Sequence, residues 1–138
     1  MTDEEKDLLL KDLCARLPYG VHILYDNTEV REMGLGSLHD FMFDSAEVKP
    51  YLRPMQSMTE EEKKEFIYNA SYEIEESVNG RHYEYYLKDY VGTPEEPTCN
   101  PDAIDWLNAR HFDYRGLIKK GLALEAPEGM YNTKTEQL

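Results

Sequence analysis

His111 and Asp113 stand two residues apart, flanked by Phe112 and Tyr114. A carboxylate beside a histidine can orient the ring and raise its basicity, so the pair could serve as an acid–base couple or as part of a metal site. On a continuous helix, residues two apart diverge by about 200° and do not face each other. The two side chains converge only where the helix ends between them, which Asp113 at a cap allows. The spacing therefore favours Asp113 capping the following turn and His111 filling the edge of the core. His82 and Glu84 have strand spacing and share one face, again half of a metal site, with His22 or His39 needed as a further ligand. Cys14 could be written as a dyad with a distant histidine, but a cysteine among leucines on a helical face is more often buried packing. Gly34-Leu35-Gly36 lacks the third glycine and the lysine of a phosphate cradle, and a turn explains it better. Neither G-x-S-x-G nor H-E-x-x-H occurs. No reaction, metal or cofactor is specified, and the expectation leans away from an enzyme.

Two segments carry residue types suited to protein contact. Tyr51, Arg53 and Met55 lie between Pro50 and Pro54, whose rings favour an extended, poorly paired backbone. Trp106, Arg110, Tyr114 and Arg115 belong to a block, residues 106–121, that holds the only tryptophan and ends in Lys119-Lys120-Gly121. Tyr, Trp, Arg and Met are enriched in binding surfaces, so the segments are candidate halves of one patch. The competing expectation is structural: Arg53 and Arg115 pair with carboxylates inside the domain while Tyr51 and Trp106 pack the core. Trp106 and Leu107 would then lie against the first helix or the sheet, with Arg110 and Arg115 at the polar edge near the carboxylates of the second helix.

The elements that must position these residues are legible from caps and periodicity. Thr2 and Glu5 form a capping box for a first helix, with Leu9, Leu10, Leu13, Cys14 and Leu17 on one face and Pro18 as the stop. Residues 20–25 alternate, Asp26-Asn27 is turn chemistry, and residues 28–33 return as a strand. Residues 38–43 and 47–52 are further strand candidates, the second assigned to an edge by Pro50. Ser57 or Thr59, with Glu60 or Glu62, caps a second helix whose inner stripe is Ile67, Ala70, Ile74 and Val78. Glu73, Glu75 and Glu76 on it read as solvated charge. Residues 82–88 suggest one more strand, and Asn100-Pro101 opens a third helix to about His111. The expectation is a single α+β domain over residues 1–125, a small antiparallel sheet with about three helices, followed by a flexible tail over residues 126–138.

A chain of 138 residues can bury a core without disulfides or metal. Cys14 and Cys99 are far apart with no C-x-x-C pair, which leaves zinc ribbons and redox motifs unsupported. The acidic start, Thr2-Asp3-Glu4-Glu5, is unlike a secretory leader, and no apolar run is long enough for a membrane. A cytoplasmic location is the expectation. A formal charge of −13 repels polyanions, so direct binding to nucleic acid or to anionic membranes is disfavoured.

Three stretches, residues 4–21, the run Val48-Lys49-Pro50-Tyr51-Leu52-Arg53-Pro54-Met55 with residues 57–62, and His111-Phe112-Asp113-Tyr114-Arg115-Gly116-Leu117-Ile118 with residues 121–127, resemble a family of small uncharacterised proteins from gut Bacteroides-type bacteria and their phages and mobile elements. The resemblance implies a bacterial, mobile-element setting and brings no catalytic residue with it. The leading expectation is a non-enzymatic module that contacts a host or phage protein. An acidic decoy that mimics nucleic acid, and a small enzyme using His111, Asp113 and Arg115, are the alternatives; Lys63, Lys64, Lys119 and Lys120 interrupt the acidic surface that a decoy needs.

Overall fold

A computed structural model describes residues 1–69 and 101–131, and the elements below are those of the described residues. Helix α1 (Asp3–Arg16) opens on the expected capping box: the Thr2 side chain accepts from the Glu5 amide while the Glu5 carboxylate accepts from the Thr2 amide. Asp3, Glu4 and Glu5 in its first turn complement the positive end of the helix dipole. The inward face differs from the leucine stripe read from the sequence. It consists of Leu9, Asp12, Leu13 and Arg16, one helical face that includes an ion pair, and Cys14 is exposed. A 3-10 turn at Leu17–Tyr19 carries Pro18, and Gly20 follows at φ 67°, a left-handed conformation that costs glycine little.

Strands β1 (His22–Tyr25) and β2 (Glu29–Glu32) form an antiparallel hairpin. Asp26 and Asn27 both take positive φ, and the Thr28 amide closes the turn on the Tyr25 carbonyl, as the mirror-image hairpin turn requires. The next segment, expected as a strand, is instead helix α2 (Leu35–Met42). Leu38 and Phe41, three apart, both reach the core from a helix, whereas a strand would send them to opposite faces.

Strand β3 (Val48–Leu52) is also a correction: it is internal, in the order β2-β1-β3-β4. Pro50 is tolerated there because of its register. The Asp26 amide donates to the Glu47 carbonyl, and pairing alternates from that point, so Pro50, opposite Ile23, falls at a non-hydrogen-bonded position. On the other side, the ladder to β4 (Leu124–Glu125) begins only at Tyr51. That ladder is parallel, so the sheet is mixed within the α+β class.

Helix α3 (Glu60–Asn69) starts from a second capping box between Thr59 and Glu62. Helix α4 (Pro101–Ala109) leads into the loop that carries His111 and Arg115. Ala70, Ile74 and Val78 of the expected stripe, the side chain of Ile67, the 82–88 strand, His82, Glu84 and Cys99 lie outside what the structure describes.

The core has two parts. α1, α2, the sheet and the 117–123 loop enclose Leu9, Leu13, Ile23, Leu52 and Leu117, all fully buried. α3 and α4 enclose Met58, Phe66, Trp106, Leu107 and Phe112. Each fully buried side chain of this size contributes about 1.5–3 kcal/mol of transfer free energy. No helix among the described residues is long and apolar enough to cross a membrane.

Candidate functional site

The two segments singled out in the sequence are brought together by backbone pairing. The Arg53 amide donates to the His111 carbonyl at 2.7 Å, and the Asp113 amide donates to the Arg53 carbonyl at 2.8 Å, a parallel bridge around Phe112. The junction sits where the end of β3 meets the loop after α4, and arginines occupy both sides of it.

Arg53 makes a two-pronged contact with Glu62, at 2.7 and 2.8 Å, and lies over the Phe112 ring at 4.1 Å. Only 12% of its side chain is exposed. Burial acts to raise the Glu62 pKa, but the Arg53 hydrogen bond and charge and the Thr59 cap together hold it below the usual range. Glu62 thus caps its own helix and anchors the arginine, joining α3 to the sheet.

Asp12 and Arg16 of α1 extend the network. Arg16 donates from Nε to Asp12 at 2.8 Å and from Nη2 to the Phe112 carbonyl at 2.7 Å. Arg115 Nε lies 3.2 Å from the other Asp12 oxygen, and Asp12 and Arg16 are fully buried. Both guanidiniums lie over the Tyr114 ring, at 5.3 and 5.0 Å, and its hydroxyl donates to Asn108. For Arg16, burial favours the neutral form; the adjacent Asp12 outweighs it and raises the pKa above its ordinary value. One carboxylate therefore serves two buried cations, an arrangement that stabilises only while it stays intact.

Each residue proposed for a contact patch has a definite place. Trp106, 9% exposed, stacks on Phe112 and meets Phe66 edge-on, and its indole N–H donates to Glu65. It packs on α3 rather than on the first helix or the sheet. Arg110 lies over the Trp106 ring and pairs with Glu65, the second-helix carboxylate that was expected. Arg115 differs, since its partner Asp12 is on the first helix. Tyr114 is buried, Met55 packs against the α3–α4 core, and Tyr51 is half-buried with its carbonyl accepting from the Tyr131 hydroxyl. The segments converge, but Arg53, Trp106, Arg110, Tyr114 and Arg115 are engaged with partners inside the protein.

His111 and Asp113 have separate structural roles. His111 takes a left-handed φ of 66°, which ends α4, and its ring stacks on Tyr131 at 3.8 Å. Burial first, and then the nearby charges of Arg16, His22, Arg53 and Arg110, lower its pKa to about 3. Asp113 accepts from the Leu117 and Ile118 amides, the cap expected from sequence; burial raises its pKa against those hydrogen bonds. Among the described residues no group of three His, Cys, Asp or Glu side chains could hold a metal. Residues 126–131, assigned to the tail by composition, are tied in: the Ala126 amide donates to Leu52, and Tyr131 joins the His22 amide to the Tyr51 carbonyl. Residues 125–129 and Tyr131, with Arg53, Pro54, Gln56 and Ser57, line an open groove of about 490 Å³.

The surface that sequence reasoning missed is on α2. Leu35 is 75% exposed, Phe43 66% and Met42 44%, and the His39 ring lies tilted against Phe43 at 4.6 Å. Their spacing, i, i+4, i+7 and, at the C-cap, i+8, lines them along one side of α2, next to Leu38 and turned away from Phe41. The signal was present in the sequence but invisible to a strand assignment. No protein-family model matches the chain, and no curated protein or solved structure matches it either.

Proposed function

We propose that the protein is a non-enzymatic interaction module that binds another protein through the outward face of α2. The observation that carries this is the contiguous exposure of Leu35, His39, Met42 and Phe43 on a helix that already fills the core through Leu38 and Phe41. Single exposed apolar residues are ordinary on protein surfaces, whereas a helix-length apolar stripe is characteristic of binding faces. The arginine junction supports the same reading indirectly, since Arg16, Arg53 and Arg115 are paired with carboxylates of the fold itself. The resemblance to proteins of bacterial mobile elements suggests a host or phage protein as the partner and the cytoplasm as the setting.

A photo-crosslinking group placed at His39 in the native host should capture the partner, and the same group at the exposed Lys119 should not. The Leu35→Ser/Phe43→Ser variant should keep its denaturation midpoint and lose the partner. Equal capture from both positions would remove α2 as the contact surface. For an acidic decoy, the expected result is instead capture of a nuclease that is insensitive to the α2 variant and steeply weakened by salt.

A further inference from the structure

The surroundings of the α2 stripe point to the chemistry of what covers it. The Tyr25 hydroxyl donates to Asp40 at 2.6 Å, which anchors the C-terminal half of α2 to the β1–β2 hairpin. Asp26 in the hairpin turn donates its amide to the Glu47 carbonyl, and the Glu47 side chain accepts from Asn27. Asp44 follows Phe43 directly, with 82% of its side chain exposed. The apolar stripe therefore ends in a cluster of carboxylates: Asp26, Glu29, Asp40, Asp44 and Glu47. Two cations answer them from neighbouring elements. Lys6 of α1 pairs with Asp44, and Arg31 pairs with Glu29 while lying over the Tyr25 ring. The cluster stays negative after both are counted. Phe43, tilted against His39 and mostly exposed, adds an aromatic face that attracts a cation.

We infer that the α2 face docks a cationic amphipathic helix of another protein, its apolar residues against Leu35, Met42 and Phe43 and its Lys or Arg side chains against Asp40, Asp44 and Glu47. This rests on the reading of α2 as the contact surface and names the partner's chemistry. A second copy of the chain is a poorer occupant. A two-fold contact of α2 on α2 would bring together two copies of formal charge −13 and supply no cation to the carboxylates at the end of either stripe. A basic helix meets the stripe and its acidic end together, and long-range attraction speeds its encounter.

The probes are two synthetic helical peptides with the same leucine face, one with lysine and one with glutamate on the polar face. Titration of the full-length protein, followed by calorimetry, should show binding of the Leu/Lys peptide only. Leu35→Ser/Phe43→Ser should weaken that binding at least tenfold, and Asp44→Asn/Glu47→Gln should weaken it severalfold and reduce its dependence on salt. Undiminished binding to the Leu35→Ser/Phe43→Ser variant would show non-specific charge attraction and overturn the proposal. So would equal binding of the Leu/Glu peptide, failure of both peptides, or sedimentation showing a dimer that the same variant dissociates. Failure of both peptides alongside specific crosslinking at His39 would leave α2 as the contact surface while refuting a cationic helix as its occupant.

Discussion

Asp12 is the one carboxylate that Arg16 and Arg115 share. It is completely buried, and its two oxygens face Arg16 at 2.8 Å and Arg115 at 3.2 Å. Asp12→Asn keeps the shape and one acceptor but removes the negative charge, leaving two guanidiniums inside the fold. Among the described residues no protein group accepts from Arg16 Nη1 or Arg115 Nη1, and the nearby Asp113 is committed to the Leu117 and Ile118 amides. Breaking a buried pair by removing one partner costs about 3–5 kcal/mol. For a domain of this size the corresponding fall in Tm is about 10–15 °C. Urea denaturation of the two proteins at neutral pH measures the difference. The triple variant Asp12→Leu/Arg16→Met/Arg115→Met, which removes all three charges together, should recover most of it. A midpoint for Asp12→Asn within about 0.5 kcal/mol of wild type, the range of ordinary surface changes, would refute the view that this carboxylate holds the arginines in place.

Trp106→Ala should cost about 3–5 kcal/mol in the same assay, since it removes a buried aromatic that touches both Phe66 and Phe112; a wild-type midpoint would instead make Trp106 a surface anchor. Acid should destabilise the protein through His111. Its pKa is lowered from 6.5 to about 3 in the folded state, so between those values the unfolded chain binds the extra proton and stability falls as pH falls. His111→Asn, which tolerates the left-handed backbone, should flatten the stability profile between pH 6.5 and 3; an unchanged profile would place the acid sensitivity elsewhere.

What could be read from the chain alone was whatever depends on neighbours a few residues apart. The capping boxes at Thr2–Glu5 and Thr59–Glu62, the Asp26-Asn27 turn, the Asp113 cap and the α+β class all rest on contacts within about one turn, where residue type nearly dictates geometry. Leu35 to Phe43 shows where this fails: apolar on two faces, the segment carries no clear period, and only packing of Leu38 and Phe41 against α1 and the sheet selects a helix. Pro50 shows it again, because its place inside the sheet depends on the phase of hydrogen bonding set by a partner strand distant in sequence. The arginines are the clearest case. Whether Arg53 and Arg115 face solvent or core depends on Glu62, Phe112 and Asp12, and the Asp12 carboxylate lies 103 positions before Arg115 in sequence. A buried charge is tolerable only where a distant segment delivers its counter-charge, so the direction these side chains point, and with it the face left open on α2, was decided by tertiary structure.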